Sequence, residues 1–279
     1  MFQLQYFASP SPSFIAILPS AKGLMFIKPN KTKAKLKAGQ PAFGVIATSD
    51  DPQLAELFGI AGFDYYMLDA EHGLIDPVQA AHVIRVCEIT NITPMIRIGS
   101  RDPKLVLQYL DAGMMGIMMP GLVTAEEVKM LVDAVKYAPL GKRGLGFSRA
   151  SAHMAYTSTA PEYIHFSNEQ TMAIIQFEDD KLLGVLRELC AVEGLDACVV
   201  GPRDLSLAMG FLDGPDHPEV QSVIDTAIGI IRMAGSIAGI TAGTRADAEA
   251  QVQRGANMIL AAAQSLVLTG SRSFLPENN

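Results

Sequence analysis

The stretch "DYYMLDAEHGLIDPVQAAHVIRVCEITNITPMIRI", residues 64–98, holds the repeating unit of the whole chain. It opens on an apolar, β-rich run at 64–69, crosses a short loop, becomes an amphipathic helical stretch at 77–90 and returns to a β-rich run at 93–98. A strand, a helix and a second strand read as a parallel pair, because the crossover helix covers one face and the strands stay apolar on both. Further β-rich runs lie at 42–47, 115–119, 171–177, 195–200, 237–242 and 257–262, making eight strands. Helical stretches at 51–61, 102–112, 124–137, 180–192, 218–233 and 245–254 separate most of them, several opened by Asp or Thr and followed by Gly as helix caps require. Eight such units predict an α/β fold of the closed (β/α)8 type, the TIM barrel. The rival is an open doubly wound sheet, but no GxGxxG follows the first strand.

Composition narrows the function. The 279 residues are 49% hydrophobic, enough for a full core, and 22 basic against 29 acidic residues leave a formal charge of −7. That balance disfavours nucleic acid or an anionic membrane as partner and suits a small molecule. Cys87, Cys190 and Cys198 are odd in number, form no CxxC and sit in apolar patterns, so they read as reduced core residues of a cytoplasmic protein. Residues 1–24 differ from the rest. They lack a basic n-region and a spanning apolar run, and read as a disordered extension or as sequence ahead of a natural start at Met25. From residue 25 to 279 the chain reads as one barrel domain, led in by five lysines between Lys28 and Lys37 that read as solvated. The one long interruption, about 138–170, is expected to be a lid or a subunit contact.

In a closed barrel the chemistry sits where strands end, since the interior is packed and only the C-terminal mouth is open. The second strand ends in Asp69, followed by Glu71 and His72; the third carries Arg97; the fifth carries Gln176 and runs to Glu178; the sixth runs into "VGPRDLS" with Asp204. Each alone reads equally as a helix cap or a loop residue; their coincidence at one end of four strands points to a site. Glu178 and Asp204 are hard oxygen donors of the kind that suits Mg2+ or Mn2+. Arg97 is a fixed cation able to stabilise an oxyanion, and His72, with Asp69 able to hold its tautomer, is the group best suited to move protons. Such a set suits enolate chemistry next to a carbonyl. No lysine lies within any of the eight strands, so a Schiff-base aldolase has no candidate amine.

The stretches "GFDYYMLDAEHG", "MIRI", "YLDAGMMGIMMP", "YAPLGKRGLG", "IIQFED" and "VVGPRDLS", in that order across about residues 25–270, resemble the HpcH/HpaI aldolase family. The resemblance implies a metal-dependent pyruvate aldolase acting on 4-hydroxy-2-oxo acids, with a divalent metal (Mg2+, Mn2+ or Co2+) held by Glu178 and Asp204. It further implies Arg97 at the pyruvate enolate, His72 as base with Asp69, and Asp111 with Gln176 around the substrate and the metal waters. Gly201, Pro202 and Arg203, ahead of Asp204, join Gln176 and Arg97 as the expected substrate contacts, and Glu71 is expected to support the others. Family resemblance also implies a homo-oligomer, a hexamer built as a trimer of dimers, with the C-terminal helix, residues 264–275, exchanged between neighbours. Two departures stand out: Arg203 where the family has a small or amide side chain, and Gln264 where it has an aspartate. Both bear on the aldehyde half of the substrate. No glycine-rich cradle follows strands seven and eight, which disfavours a phosphorylated substrate. A barrel lyase or synthase condensing another enolate, of the citrate-forming or acyl-CoA lyase kind, and a non-catalytic binding barrel remain as alternatives.

His82 reads as a core-edge or interface residue, His153 and His165 as surface residues of the long interruption, and His217 as a capping or subunit residue. The 14 methionines, dense in "GMMGIMMP", read as adaptable barrel packing.

Overall fold

A computed structural model describes residues 28–155 and 159–276. Expectations for residues 1–24 lie outside the described residues. The strands are β1 (Ala42–Ala47), β2 (Tyr65–Asp69), β3 (Thr93–Arg97), β4 (Gly116–Met119), β5 (Met172–Phe177), β6 (Ala197–Val200), β7 (Ile237–Thr241) and β8 (Met258–Ala262). All pair in parallel in chain order, and β8 pairs with β1 to close the barrel. This is the expected (β/α)8 architecture.

The two-residue period of each strand divides the core in two. Tyr66, Leu68, Ile96, Ile117, Ile175 and Val200 face outward against the helices. Tyr65, Met67, Met95, Met118, Met172, Ile174 and Val199 fill the interior, so the methionines do pack the barrel. The Tyr65 ring crosses this interior to donate to the Ile259 carbonyl at 2.7 Å, over Gly44, where a Cβ would lie 2.3 Å from the ring. Only glycine fits beneath it. The same period carries the inward set upward from Met67 to Asp69, from Met95 to Arg97 and from Ile174 to Gln176. The top layer of the interior is therefore polar, and the β2–β3 register sets Asp69 directly beside Arg97.

Helices α2 (Pro52–Ile60), α3 (Pro77–Thr90), α4 (Pro103–Ala112), α5 (Ala125–Val135), α9 (Pro218–Met233) and α10 (Arg245–Arg254) fall where the sequence places them. Asp51, Asp76, Asp102, Thr124 and Thr244 cap them through side-chain oxygens, and His217 caps α9 through Nδ1. The stretch at 180–192 is instead a 3-10 turn, Asp180–Gly184, followed by the short α7, Leu186–Cys190.

Two expectations are corrected. The lysine-rich lead-in is only partly solvated: Lys28, Lys31 and Lys37 are exposed, but the run forms α1 (Lys31–Lys37), which plugs the barrel floor with Leu36 and buries Lys33. Lys33 is 4% exposed, paired to Asp196 at 2.6 Å and bonded to the Thr171 carbonyl, beside Lys136 on the same carboxylate. Burial pulls the Lys33 ammonium down to about 7, against the attraction of Asp196. The interruption at 138–170, for its part, attaches through its described residues at the floor and not at its own mouth. Helix α5 runs back to the floor and delivers the next segment there: Lys136 reaches the Asn168 carbonyl and Ala150 donates to the Asp111 carbonyl. It also contains a helix, α6 (Ala160–Gln170), capped by Thr159. Among the described residues no helix is long and apolar enough to cross a membrane.

Candidate functional site

Four strand ends place their polar side chains at one mouth. Asp69, the last inward residue of β2, is nearly buried and accepts from Arg97 Nε at 2.9 Å on Oδ1 and Arg97 Nη2 at 2.6 Å on Oδ2. Its Oδ1 also caps the next turn, accepting the backbone N–H groups of Glu71 (3.2 Å) and His72 (3.4 Å). Gly73 closes that turn. A Cβ there would lie 2.3 Å from the Asp69 carbonyl oxygen and 2.8 Å from that of Thr48. Burial works against the Asp69 charge, but the Arg97 fork and the two backbone donors outweigh it and hold the carboxyl below its usual range. Arg97 is likewise raised: burial opposes its charge, and Asp69, Glu71 and Asp204 more than compensate.

Around this pair the set closes up. Glu71 Oε2 stands 3.2 Å from Arg97 Nε and 3.9 Å from His72 Nε2. Gln176 bridges: its Oε1 accepts from Arg97 Nη1 at 3.4 Å and its Nε2 donates to Glu178 Oε2 at 2.6 Å. The other Glu178 oxygen accepts the backbone N–H of Gly121 at 3.1 Å. Burial pushes the Glu178 carboxyl up, and the nearby carboxylates of Glu71 and Asp204 push it further, beyond what Gly121 and Arg97 relieve. The mouth thus gathers more carboxylate charge than its cation balances. Asp204 and Arg203 lie in the first turn of α8 (Pro202–Ala208), both exposed, and Gly201 leaves room for Gln176, since a Cβ there would stand 2.8 Å from Nε2. The Arg203 guanidinium leans toward the loop at Gly214, where a Cβ would be 3.6 Å from Nη1.

The structure departs from the expected set at two residues. Asp69 grips Arg97 rather than the His72 imidazole, whose side chain is 64% exposed and has Glu71 as its nearby carboxylate. Asp111 is not at this mouth within the subunit. It occupies the last turn of α4, at the floor end, and accepts from Arg143 Nη2 at 2.9 Å. His82, read as a core-edge or interface residue, is exposed on α3. His165, paired with Glu169 at 3.2 Å, and His153 are exposed as expected.

Sequence reading missed the fourth strand's contribution, because it is a backbone N–H at Gly121 and not a side chain. Gln264, which the sequence singles out, donates from Nε2 to Thr48 Oγ1 at 2.6 Å where β8 and β1 end, a partner that the sequence does not give. The departure at 264 therefore places an uncharged pair on that rim.

Comparison with known proteins adds a separate line of argument. The model of the family described as HpcH/HpaI aldolase/citrate lyase matches residues 43–269. A 4-hydroxy-2-oxo-heptane-1,7-dioate aldolase of Salmonella typhimurium is 33% identical over 239 residues, covering 86% of this chain and 90% of its own. A hydroxypyruvate/pyruvate aldolase of Pseudomonas aeruginosa is 37% identical over 211 residues, covering 76% and 78%. Among solved structures, an HpcH/HpaI aldolase/citrate lyase family protein of Burkholderia cenocepacia superposes with a TM-score of 0.81 at 28% identity, covering 88% of this chain and 97% of that one.

Proposed function

The chain belongs to the HpcH/HpaI aldolase/citrate lyase family and is a class II aldolase, a carbon–carbon lyase; from that premise we propose that it cleaves 4-hydroxy-2-oxo acids to pyruvate and an aldehyde with a divalent metal at Glu178 and Asp204. The observation that carries the reading is the excess of carboxylates, Glu71, Glu178 and Asp204, around a single guanidinium already gripped by Asp69. Such a donor set fits Mg2+, Mn2+ or Co2+. Among the described residues no three His, Cys, Asp or Glu side chains are grouped to cage an ion, so the chain itself would supply two ligands and leave room for water and a chelating 2-oxo acid. Bound there, the metal would polarise the 2-oxo group and favour an enolate.

The protein's own groups divide the remaining work. Asp69 occupies Arg97 Nε and one Nη2 proton, which turns Nη1 and the other Nη2 proton toward the mouth as donors for the enolate oxygen. Gln176 stands between that guanidinium and Glu178 and, with Gly201, Pro202 and Arg203, would contact the substrate. His72, exposed at the mouth, takes the proton of the 4-hydroxyl as the C3–C4 bond breaks to aldehyde and enolate; protonation at C3 then gives pyruvate.

An oligomer completes this proposal. Helix α11 (Ala263–Phe274) buries only Ala263 and exposes Val267, Leu268 and Phe274, while a cavity of about 510 Å3 lined by Phe43, Phe63, Ala248 and Ala261 stands open beside β1 and β8. A neighbour's α11 seated in that groove, within a hexamer, accounts for both observations. Free, buried cysteines suit a cytoplasmic enzyme.

The test is retro-aldol cleavage coupled to pyruvate detection, over 4-hydroxy-2-oxo acids with and without a distal carboxylate. Activity should vanish in EDTA and return with Mg2+, Mn2+ or Co2+. Full turnover in chelator would remove the metal from the mechanism, and absence of pyruvate from every substrate would remove the substrate class.

A further inference from the structure

Glu178 is held by two donors, and one of them belongs to a turn that buried Leu122 anchors in the core but whose Gly121 peptide no side-chain packing braces. Gly121, which donates its N–H to Glu178 Oε1 at 3.1 Å, lies between β4 and α5 with φ +66°, and a Cβ built on it would meet nothing within 4 Å. Around Gly121 the turn is tied by hydrogen bonds. Arg101, on the loop between β3 and α4, donates from Nη2 to the Gly121 carbonyl at 2.6 Å. Its Nη1 donates to Glu127 Oε1, in the first turn of α5, and Glu127 Oε2 accepts the Val123 N–H at 2.7 Å. Arg101 thereby closes a ring that runs through Glu127, Val123 and Gly121, with the Gly121 N–H aimed at Glu178. A left-handed glycine has free neighbouring torsions; pinning its carbonyl and the N–H two residues on fixes the direction of its own N–H.

We propose that Arg101 is a positioning residue: with Glu127 it sets the turn at residues 120–123 so that Gly121 orients the Glu178 carboxylate for a divalent metal. This rests on the reading that Glu178 is a metal ligand. Arg101 itself is half-exposed and touches no group of the reacting set other than through Gly121, so its effect is expected to be modest.

Electrostatics alone makes the opposite prediction. Removing a positive charge near a cation site strengthens cation binding, whereas losing the brace weakens it. The experiment titrates the full-length protein with Mn2+, counting free ion by electron paramagnetic resonance, and follows thermal unfolding of the metal-free protein alongside. Arg101→Met, which keeps the aliphatic stem, should raise the Mn2+ dissociation constant about three- to tenfold with the unfolding temperature little changed. Arg101→Lys, able to reach the Gly121 carbonyl but not to fork onto Glu127, should fall between wild type and Met. Unchanged or tighter Mn2+ binding by Arg101→Met, with wild type binding normally, overturns the positioning role alone. A wild-type protein that binds no Mn2+ overturns the metal reading, and this proposal with it.

Discussion

Asp69→Asn is the sharpest test of how the mouth works, because it leaves shape nearly unchanged and removes the charge that Arg97 is built against. In the native site both Asp69 oxygens serve the guanidinium, at 2.9 and 2.6 Å, and Oδ1 also serves the N–H groups of Glu71 and His72. An Asn keeps one acceptor. If its oxygen stays with the turn, its NH2 faces Arg97 Nη2, donor against donor. Losing one charge-assisted hydrogen bond costs about 1.5–3 kcal/mol, and leaving a buried cation unbalanced costs about 3–5 kcal/mol. Glu71, 3.2 Å from Nε, offsets part of this, so a loss of about 2–3 kcal/mol in unfolding free energy is expected. Because the Asp69 carboxyl is held below its usual range, the native state releases that proton more readily than the unfolded chain. Its stabilisation is therefore present above the ordinary carboxylate range and lost as pH falls through the lowered value, and the gap between wild type and variant should close in acid. Catalytically, a displaced Arg97 should cost about 10²–10³ in rate, seen equally in retro-aldol turnover and in deuterium exchange into the methyl group of pyruvate. Urea unfolding at neutral and acid pH and both rate assays give the answer. A variant as stable as wild type, changed only in its pH–rate profile as His72→Ala is, would show that Asp69 serves the imidazole and that the guanidinium grip is incidental.

His72→Ala should lower retro-aldol turnover by about 10²–10⁴ and abolish the acid limb of the pH–rate profile without loss of stability, measured by steady-state kinetics across pH. Lys33 is held at about 7 in the fold against 10.5 ordinarily, so the unfolded chain binds the extra proton between those values and this group's contribution rises with pH across that window. Lys33→Met, with Asp196 still paired to Lys136, should flatten that rise in denaturation midpoints at little or no cost near neutral pH. Deleting residues 263–279 should yield monomers by light scattering; an unchanged assembly would show that α11 does not hold subunits together.

How legible the fold was depended on period. Strands such as β1 and helices such as α9 and α10 fall on the residues expected because nothing competes with their patterns. The failures share a cause. "KTKAKLK" reads as a solvated run because lysine is rarely buried, yet the barrel floor needs a plug, and Asp196 with the Thr171 carbonyl accepts two ammonium groups there. "APEYIHFSNEQ" lost its helix inside a long irregular stretch, although Thr159, Pro161 and Glu162 form a helix start that could have been read. Whether an interruption sits at the mouth or the floor comes from counting elements: in this fold each strand ends at the mouth and each helix ends at the floor, so a segment after a helix starts at the floor.

Residue types at the mouth were legible because strand parity, once the apolar interior is known, dictates that 69, 97 and 176 point inward together. Their pairing was not, and the reason is geometric. Chain proximity suggests Asp69 for His72, three residues on, but the Asp69 side chain points into the barrel while the turn carrying His72 leaves it, so only the backbone N–H of His72 comes within reach. The β2–β3 register, invisible in any one segment, delivers Arg97 to the same level and at bonding distance. Asp111 shows the converse. Its helix periodicity is readable, but a helix that returns to the floor carries its last turn away from the mouth, where Arg143 takes the carboxylate. Side-chain identity thus locates a site in this fold, whereas partnership within it is settled by register and by the direction in which each element runs.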